Sequence, residues 1–253
     1  MDRDKAGEKY WENVWSSSDT IRKFDIDYYT NRLLHELYSR YIPKAKNGET
    51  ICEIGCAMSQ YLLYFNDYYG YKINGFDYEE KSVEKTKSIY SEMGYDSHIY
   101  HKDFFNEDGI EQYDLLTSFG VFEHFENLNK STFHTTKYLK AGGLILTVIP
   151  NMNGIVGFLQ KHTNRQVYDV HIPYTKEALL SAHERAGYET LFCDYFGIYQ
   201  SGVINLAGHR YGDTLSKVFA VPGKPLYYLS RASGISLDSV YNSPYIIYIG
   251  RKK

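Results

Sequence analysis

Three carboxylates and two imidazoles stand in or beside apolar runs that give way to polar turns. Glu53 lies inside the apolar run of "ICEIGCAMSQYL", residues 51–62. An unpartnered buried carboxylate is costly, so a hydrogen-bonding or charged partner must lie close by. Gly55 separates a strand-like segment from a helix-like one; lacking a side chain, it permits positive φ and lets a ligand touch the main chain. Asp77, in "INGFDYEE", ends the next apolar run, 22 residues beyond Gly55. A carboxylate at that place can accept both hydroxyls of a ribose lying across the strand ends, and it also suits the N-cap of a following helix. In "HKDFF", residues 101–105, Asp103 could accept from the exocyclic amine of an adenine and Phe104 could offer its N–H to the ring; alternatively they are a loop acid beside core phenylalanines. His124, in "FEHF", and His171, in "DVHIPYT", titrate near neutrality and suit proton removal, or each could hydrogen-bond a neighbouring loop.

These residues need elements to hold them. Alternation of apolar residues predicts strands at 50–54, 72–76, 97–100, 113–119 and 143–149, with helical stretches at 58–67, 79–92 and 127–140 between them. Strand–helix alternation of this kind calls for a doubly wound, mostly parallel α/β sheet, whose ligands sit at the carboxyl ends of the strands near the switch point. Upstream, Tyr10, Trp11, Val14 and Trp15 share one helical face, and "TNRLLHELYSRYI" repeats apolar residues at helical spacing up to Pro43. Downstream come a loop-rich segment to about 172, a helix "TKEALLSAHERAGY" ended by Gly187, and a strand at 189–196. Residues 197–243 hold several Gly and Pro before a last strand, "PYIIYIG". Arg210, Lys217, Lys224 and Arg231 fall seven apart, but Pro222, Gly223 and Pro225 interrupt any continuous helix.

Composition narrows the function. The chain has 253 residues, 43% hydrophobic and 23% charged, which is ordinary for a globular protein rather than a disordered one. Its 27 tyrosines read as compositional bias. The net charge of −3 comes with scattered Lys and Arg, so no basic stripe marks a nucleic-acid partner, and the mild basic excess after Arg210 ends in an "RKK" tail. Cys52, Cys56 and Cys193 are odd in number and lack metal spacing, as expected of reduced thiols in a cytoplasmic protein. No apolar run approaches the ~20 residues needed to span a bilayer, so no membrane partner is expected.

Taken in order, "ICEIGCAMSQYL", "GFDYEE", "HKDFF", "YDLLTSFGVFEHF" and "LKAGGLILTVIPN" resemble the successive motifs of class I S-adenosylmethionine-dependent methyltransferases. The resemblance spans about 48 to 196 and looks closest to the small-molecule branch that includes the ubiquinone-biosynthesis O-methyltransferases. It implies a Rossmann-like seven-stranded, mostly parallel sheet with helices on both faces. One domain over 1–253 is expected: an N-terminal helical cap over 1–47, a cofactor-binding core over 48–196, an insertion over 197–243, and a last strand and tail over 244–253. By the same resemblance, Glu53 would support the turn or the methionyl moiety, and backbone groups of Gly55, Cys56 and Ala57 would line that moiety. The helix N-terminus near Ser59 would favour its carboxylate. Asp77, with Tyr78 beside it, would hold the ribose; Asp103 and Phe104 the adenine; Ser118 and Phe119 the amino group and sulfonium side. Ala57 and Ser59 stand where the family commonly has glycine.

The implied reaction is in-line attack on the sulfonium methyl of S-adenosylmethionine, leaving S-adenosylhomocysteine, with alignment the main contribution and a base the lesser one. The expected acceptor is an oxygen of a small polar metabolite, such as a sugar or phosphorylated precursor of a cell-surface polymer. His124 and His171 are the expected catalytic bases; Tyr10, Trp11, Trp15, Asn151 and Tyr174 are the expected substrate contacts. Alternatives are N-methylation, a catalytically silent partner protein that binds the same cofactor, and a nicotinamide-dependent oxidoreductase, which would want the G-x-G-x-x-G fingerprint absent here. In the ubiquinone-type enzymes an acid precedes the E-H pair by three positions, where some bind a divalent metal. That place is Gly120, so no metal is expected, Glu123, His124 and Glu126 being its only nearby ligands. The 197–243 insertion is a candidate homodimer contact.

Overall fold

The structure, a computed structural model, describes residues 4–16, 19–106, 112–206 and 209–253. Along the chain run α1 (Glu8–Ser16), α2 (Tyr29–Tyr41), β1 (Thr50–Ile54), α3 (Tyr61–Tyr69), β2 (Lys72–Asp77), α4 (Glu80–Glu92), β3 (Ser97–His101) and β4 (Tyr113–Phe119). A short 3-10 turn (Phe122–His124) leads to α5 (Leu128–Thr135), β5 (Leu139–Pro150), α6 (Ile155–Thr163), α7 (Arg165–Asp169), α8 (Lys176–Arg185) and β6 (Tyr188–Phe196). Then come a second 3-10 turn (Ser201–Val203), α9 (Gly212–Ala220), α10 (Gly223–Ser233) and β7 (Tyr245–Lys252).

Seven strands form one sheet in the order β3-β2-β1-β4-β5-β7-β6. Only β7 runs against the rest, pairing antiparallel with both β5 and β6. The expected doubly wound, mostly parallel sheet is therefore present. Side-chain alternation divides the core between its two faces. Ile51, Leu115, Leu144, Leu146, Ile247 and Ile249 pack on one face with α3 and α4 residues such as Leu62 and Val83. Cys52, Leu116, Ile145, Ile246 and Tyr248 pack on the other with Leu128 and Leu179. Glu53, an odd step from Cys52, falls on the first face.

Local chemistry sets the element ends. Met58 adopts φ of +53°, which no right-handed helix accommodates, so α3 begins at Tyr61 and not at 58. Glu79, not Asp77, caps α4, its carboxylate accepting the N–H groups of Lys81 and Ser82. The helix expected over 127–140 stops at Thr135, because β5 begins at Leu139 to pair with Tyr113. Between 151 and 172 the structure has α6 and α7 where the sequence reads as loop. In the insertion, α9 and α10 break at Val221 and Pro222, as the proline and glycine positions predict.

Gly157 shows how closely α6 approaches the end of β5. A Cβ at this position would lie 2.0 Å from the Met152 carbonyl oxygen. Helix propensity favours Ala over Gly by about 1 kcal/mol, but overlap at that distance outweighs it. Gly157→Ala is expected to lower the melting temperature by roughly 5 °C; a melt at or above the wild-type value would contradict this packing.

Candidate functional site

The carboxyl ends of β1, β2, β3 and β4 lie along one edge of the sheet because these strands run parallel. At that edge the Phe76 carbonyl accepts the N–H groups of both Gly55 (2.9 Å) and Cys56 (3.2 Å). Gly55 has φ of +71°, and a Cβ there would come 2.6 Å from Val121 Cγ2, so position 55 excludes any side chain. Cys56 is buried, its side chain filling the space over Gly75. Burial pushes its thiol well above the ordinary value, with Asp77 and Glu53 adding to the effect, so it is no nucleophile at neutral pH.

Glu53 has its partner: the Ser59 hydroxyl donates to Glu53 Oε2 over 2.7 Å, and Ser59 Oγ accepts the N–H of Tyr61 at 3.0 Å. Ser59 thus links the buried acid to the start of α3. Burial raises the Glu53 carboxyl to about 8 against the Ser59 hydrogen bond, Asp77 adding a smaller push. Asp77 Oδ2 accepts the Ala57 N–H (3.2 Å) and Oδ1 that of Glu79 (3.0 Å). A carboxylate offers about four acceptor sites, so acceptor capacity remains for a ligand hydroxyl. Burial raises Asp77 to about 6, opposed by the backbone donors of Glu79, Ala57 and Tyr78. The N–H groups of Gly55, Cys56 and Ala57, expected to line a ligand, are instead committed to Phe76 and Asp77.

Asp103 is exposed beyond β3, and its Oδ1 accepts the Phe105 N–H at 2.8 Å. The Phe104 ring is buried among Phe76, Phe122 and Tyr138, and its carbonyl accepts from the Tyr138 hydroxyl. At the end of β4, Ser118 Oγ is buried without a hydrogen-bond partner, and Phe119 stacks on Tyr61 with ring centroids 3.7 Å apart.

The second half of the site gathers around the 3-10 turn. The His124 and His171 rings lie 4.6 Å apart, and Glu123 Oε1 is 3.8 Å from His124 Nε2. His124 Nδ1 pairs with the Val170 carbonyl at 2.9 Å, and His171 Nδ1 with the Val167 carbonyl. The Ile172 N–H donates to the Glu123 carbonyl (2.7 Å), fixing the 167–172 segment against the turn. Burial lowers His124, and burial followed by His124 itself lowers His171 to about 4, so both rings are neutral at pH 7. Burial raises Glu123 to about 8.

The segment containing α1 overlies both halves. The Trp11 ring meets His124 edge-on at 5.0 Å and stacks on Trp15, with Tyr10 edge-on to it. Asp4 accepts from the Tyr78 hydroxyl (2.8 Å) and from Trp11 Nε1, and the Lys5 N–H donates to the His124 carbonyl at 3.0 Å. Asn151 does not join this group. It is fully buried, its amide donating to the carbonyls of Val240 and Ser243, so it braces the chain leading into β7. The Tyr174 hydroxyl donates to the Phe125 carbonyl at 2.6 Å and is likewise engaged by the backbone. Sequence reasoning weighs Glu123 only as a metal ligand with His124 and Glu126, and passes over Asp4 altogether. Adjacency to His124 was a signal for the first; nothing local signals the second, whose partner is 74 residues away.

Comparison with known proteins adds three structures and a family. The family described as a methyltransferase domain matches residues 26–191. No curated protein matches the chain. Geranyl diphosphate C-methyltransferase from Streptomyces coelicolor A3(2), solved with Mg2+, geranyl diphosphate and S-adenosyl-L-homocysteine, superposes with a TM-score of 0.60 at 9% identity, covering 97% of this chain and 98% of that one. A SAM-dependent methyltransferase from Archaeoglobus fulgidus gives 0.57 at 17% identity, with 96% and 98% covered. The cyclopropane synthase MmaA2 from Mycobacterium tuberculosis gives 0.59 at 16%, with 93% and 90% covered. At these identities the structures share the fold with this chain.

The raised Glu53 carboxyl carries a pH signature. Its folded value lies above its unfolded one, so between about pH 5 and 8 the native state binds more protons, and stability conferred by this group is lost as pH rises. Glu53→Gln keeps an acceptor for Ser59 and removes the titration. Unfolding by urea at several pH values should show the wild type losing up to ~1.4 kcal/mol more per pH unit than the variant in this window. Parallel pH profiles would show that Glu53 is not held protonated.

Proposed function

The chain belongs to the methyltransferase-domain family, and on that premise we propose that it methylates an oxygen of a small polar metabolite. It is an S-adenosylmethionine-dependent methyltransferase. S-adenosylmethionine supplies a positively charged sulfonium whose methyl is open to attack by a nucleophile. The fit rests on two features of the edge. Asp77 keeps acceptor capacity beside the Gly55 turn, suited to a ribose hydroxyl, and Ser118 Oγ, buried and without a partner, suits a donor arriving over β4. Tyr78, which follows β2, and Asp103 and Phe104, which follow β3, are on this reading the adenine contacts.

The observation that carries the oxygen reading is the polar lining beyond this crevice. Glu123, His124 and His171 are packed together under Trp11, and Glu123 and His124 are both buried. Such a group favours an acceptor that must lose a proton, as a hydroxyl must, over an apolar carbon. The neutral rings leave imidazole nitrogen lone pairs available at pH 7. Trp11, Trp15 and Tyr10 supply aromatic cover that keeps water from the reacting groups. Among the described residues no helix is long and apolar enough to cross a membrane, and the scattered charge favours a small molecule over nucleic acid.

Asp77→Ala removes hydrogen bonds to a charged acceptor worth about 1.5–3 kcal/mol each. Calorimetry with S-adenosylhomocysteine should show affinity falling by ~100-fold or more, circular dichroism remaining unchanged. Wild-type affinity in the variant would remove the ribose role. For the acceptor, mass spectrometry after incubation with hydroxylated and amino metabolites should show oxygen-linked methyl products; methylation confined to amines would replace the oxygen reading with the nitrogen one.

A further inference from the structure

We propose that Glu123, His124 and His171 bind one divalent first-row transition ion, such as Zn2+ or Fe2+. A carboxylate oxygen and one nitrogen from each ring all lie within 4.8 Å of one another. Ligands about 2.0–2.1 Å from a tetrahedral ion stand roughly 3.4 Å apart, so side-chain shifts of about 1 Å close the set.

Three observations point to an ion rather than to an ordinary buried polar cluster. Glu123 and His124 are 1% and 2% exposed, yet Glu123 Oε2 and His124 Nε2 have no hydrogen-bond partner. Buried polar atoms are nearly always satisfied; the buried His183, for comparison, pairs one ring nitrogen with the Leu179 carbonyl and the other with the Thr147 hydroxyl, and the orphaned hydroxyls of Thr30, Tyr38 and Ser118 stand singly, whereas Glu123 and His124 are orphaned side by side. Second, both site imidazoles engage a backbone carbonyl through Nδ1, which fixes Nδ1–H and leaves Nε2 with a lone pair; the Gly120 backbone also lies beside the His124 ring, and its carbonyl has no proton to offer that lone pair. That is how metal-ligating histidines are oriented by their surroundings. Third, two imidazoles and one carboxylate are a donor set for zinc or iron(II), with coordination positions left over, and a poor one for magnesium or calcium.

The sequence alone argued against a metal because Gly120 replaces an acid and Glu126 seemed the third ligand. Glu126 is exposed and outside the cluster. The third ligand is His171, brought in by the 167–172 segment through the Ile172–Glu123 backbone bond. The site stands on this geometry alone. Only its use, drawing the proton of a bound hydroxyl toward release, rests on the oxygen-acceptor reading.

The test uses the full chain, stripped with a chelator, dialysed against Co2+ or Zn2+, and freed of loose metal. Elemental analysis should give one ion per chain, and the Co2+ form should show the absorption bands of a low-coordinate nitrogen–oxygen site. His171→Ala and the near-isosteric Glu123→Gln should each weaken binding by ~100-fold or more, whereas His162→Ala, on the exposed side of α6, should not. Failure of the wild type to retain Zn2+, Co2+, Mn2+ or Fe2+ stoichiometrically overturns the proposal, as does undiminished retention in both ligand variants. Calorimetry with S-adenosylhomocysteine on the same samples separates the two readings: cofactor binding without metal retention sinks this site alone, and metal retention without cofactor binding sinks the crevice assignment alone.

Discussion

The Asp77 carboxylate accepts the backbone N–H groups of Ala57 and Glu79, and so clamps the turns that follow β1 and β2 into one surface. Everything else at this edge is arranged around that clamp. The Phe76 carbonyl already holds the Gly55 and Cys56 amides, which turns the main chain of the first turn inward. The polar groups left open at this edge are then side chains, the unpartnered Ser118 hydroxyl among them, rather than a nest of amides. A pyrophosphate wants such a nest. A sulfonium nucleoside, which carries no phosphate, does not.

Glu53 belongs to the same economy of buried charge. Its carboxyl accepts one hydrogen bond, from Ser59, and burial keeps it protonated near neutrality. A second negative charge close to Asp77 would be repulsive, and the protonated form avoids this. Position 59 therefore carries serine for a structural reason: its hydroxyl bridges the buried acid and the first N–H of α3. The departure from glycine there concerns the support beneath the turn more than contact with a ligand above it.

How much of this was legible in the sequence depends on the range of the interactions. Strand β4 spans 113–119 and β1 spans 50–54 as alternation predicts, because period-2 patterning is set residue by residue. The α3 start was misjudged, since positive φ at Met58 comes from the strain of the turn and not from a residue that favours it. Helices α6 and α7 were read as loop because both are short and Gly154 and Gly157 dilute their pattern; Gly157 answers to the backbone of Met152 rather than to helix propensity. Asn151 looked like a polar residue at a strand end, free to meet substrate. The 240–243 segment that occupies its amide is some ninety residues away, beyond any local signal. The pairing of His124 with His171 likewise depends on a segment folding back 46 residues later onto the turn.

The N-terminal segment joins what the sheet keeps apart. Asp4 accepts from Tyr78, next to Asp77, and from Trp11, which lies against His124, so one carboxylate reaches both the Asp77 side and the His124 side of the edge. The Lys5 N–H adds a backbone bond to His124, and two surface ion pairs, Glu12 with Lys81 and Asp19 with Lys85, add to it. Pairs of that kind contribute little in water and weaken further with salt. What holds the segment is thus mostly aromatic contact, the part-buried hydrogen bonds of Asp4 and the Lys5–His124 backbone bond. One element covers both sides of the edge: its Trp11 lies against the buried His124, and Asp4 just ahead of it is bonded to Tyr78 beside Asp77.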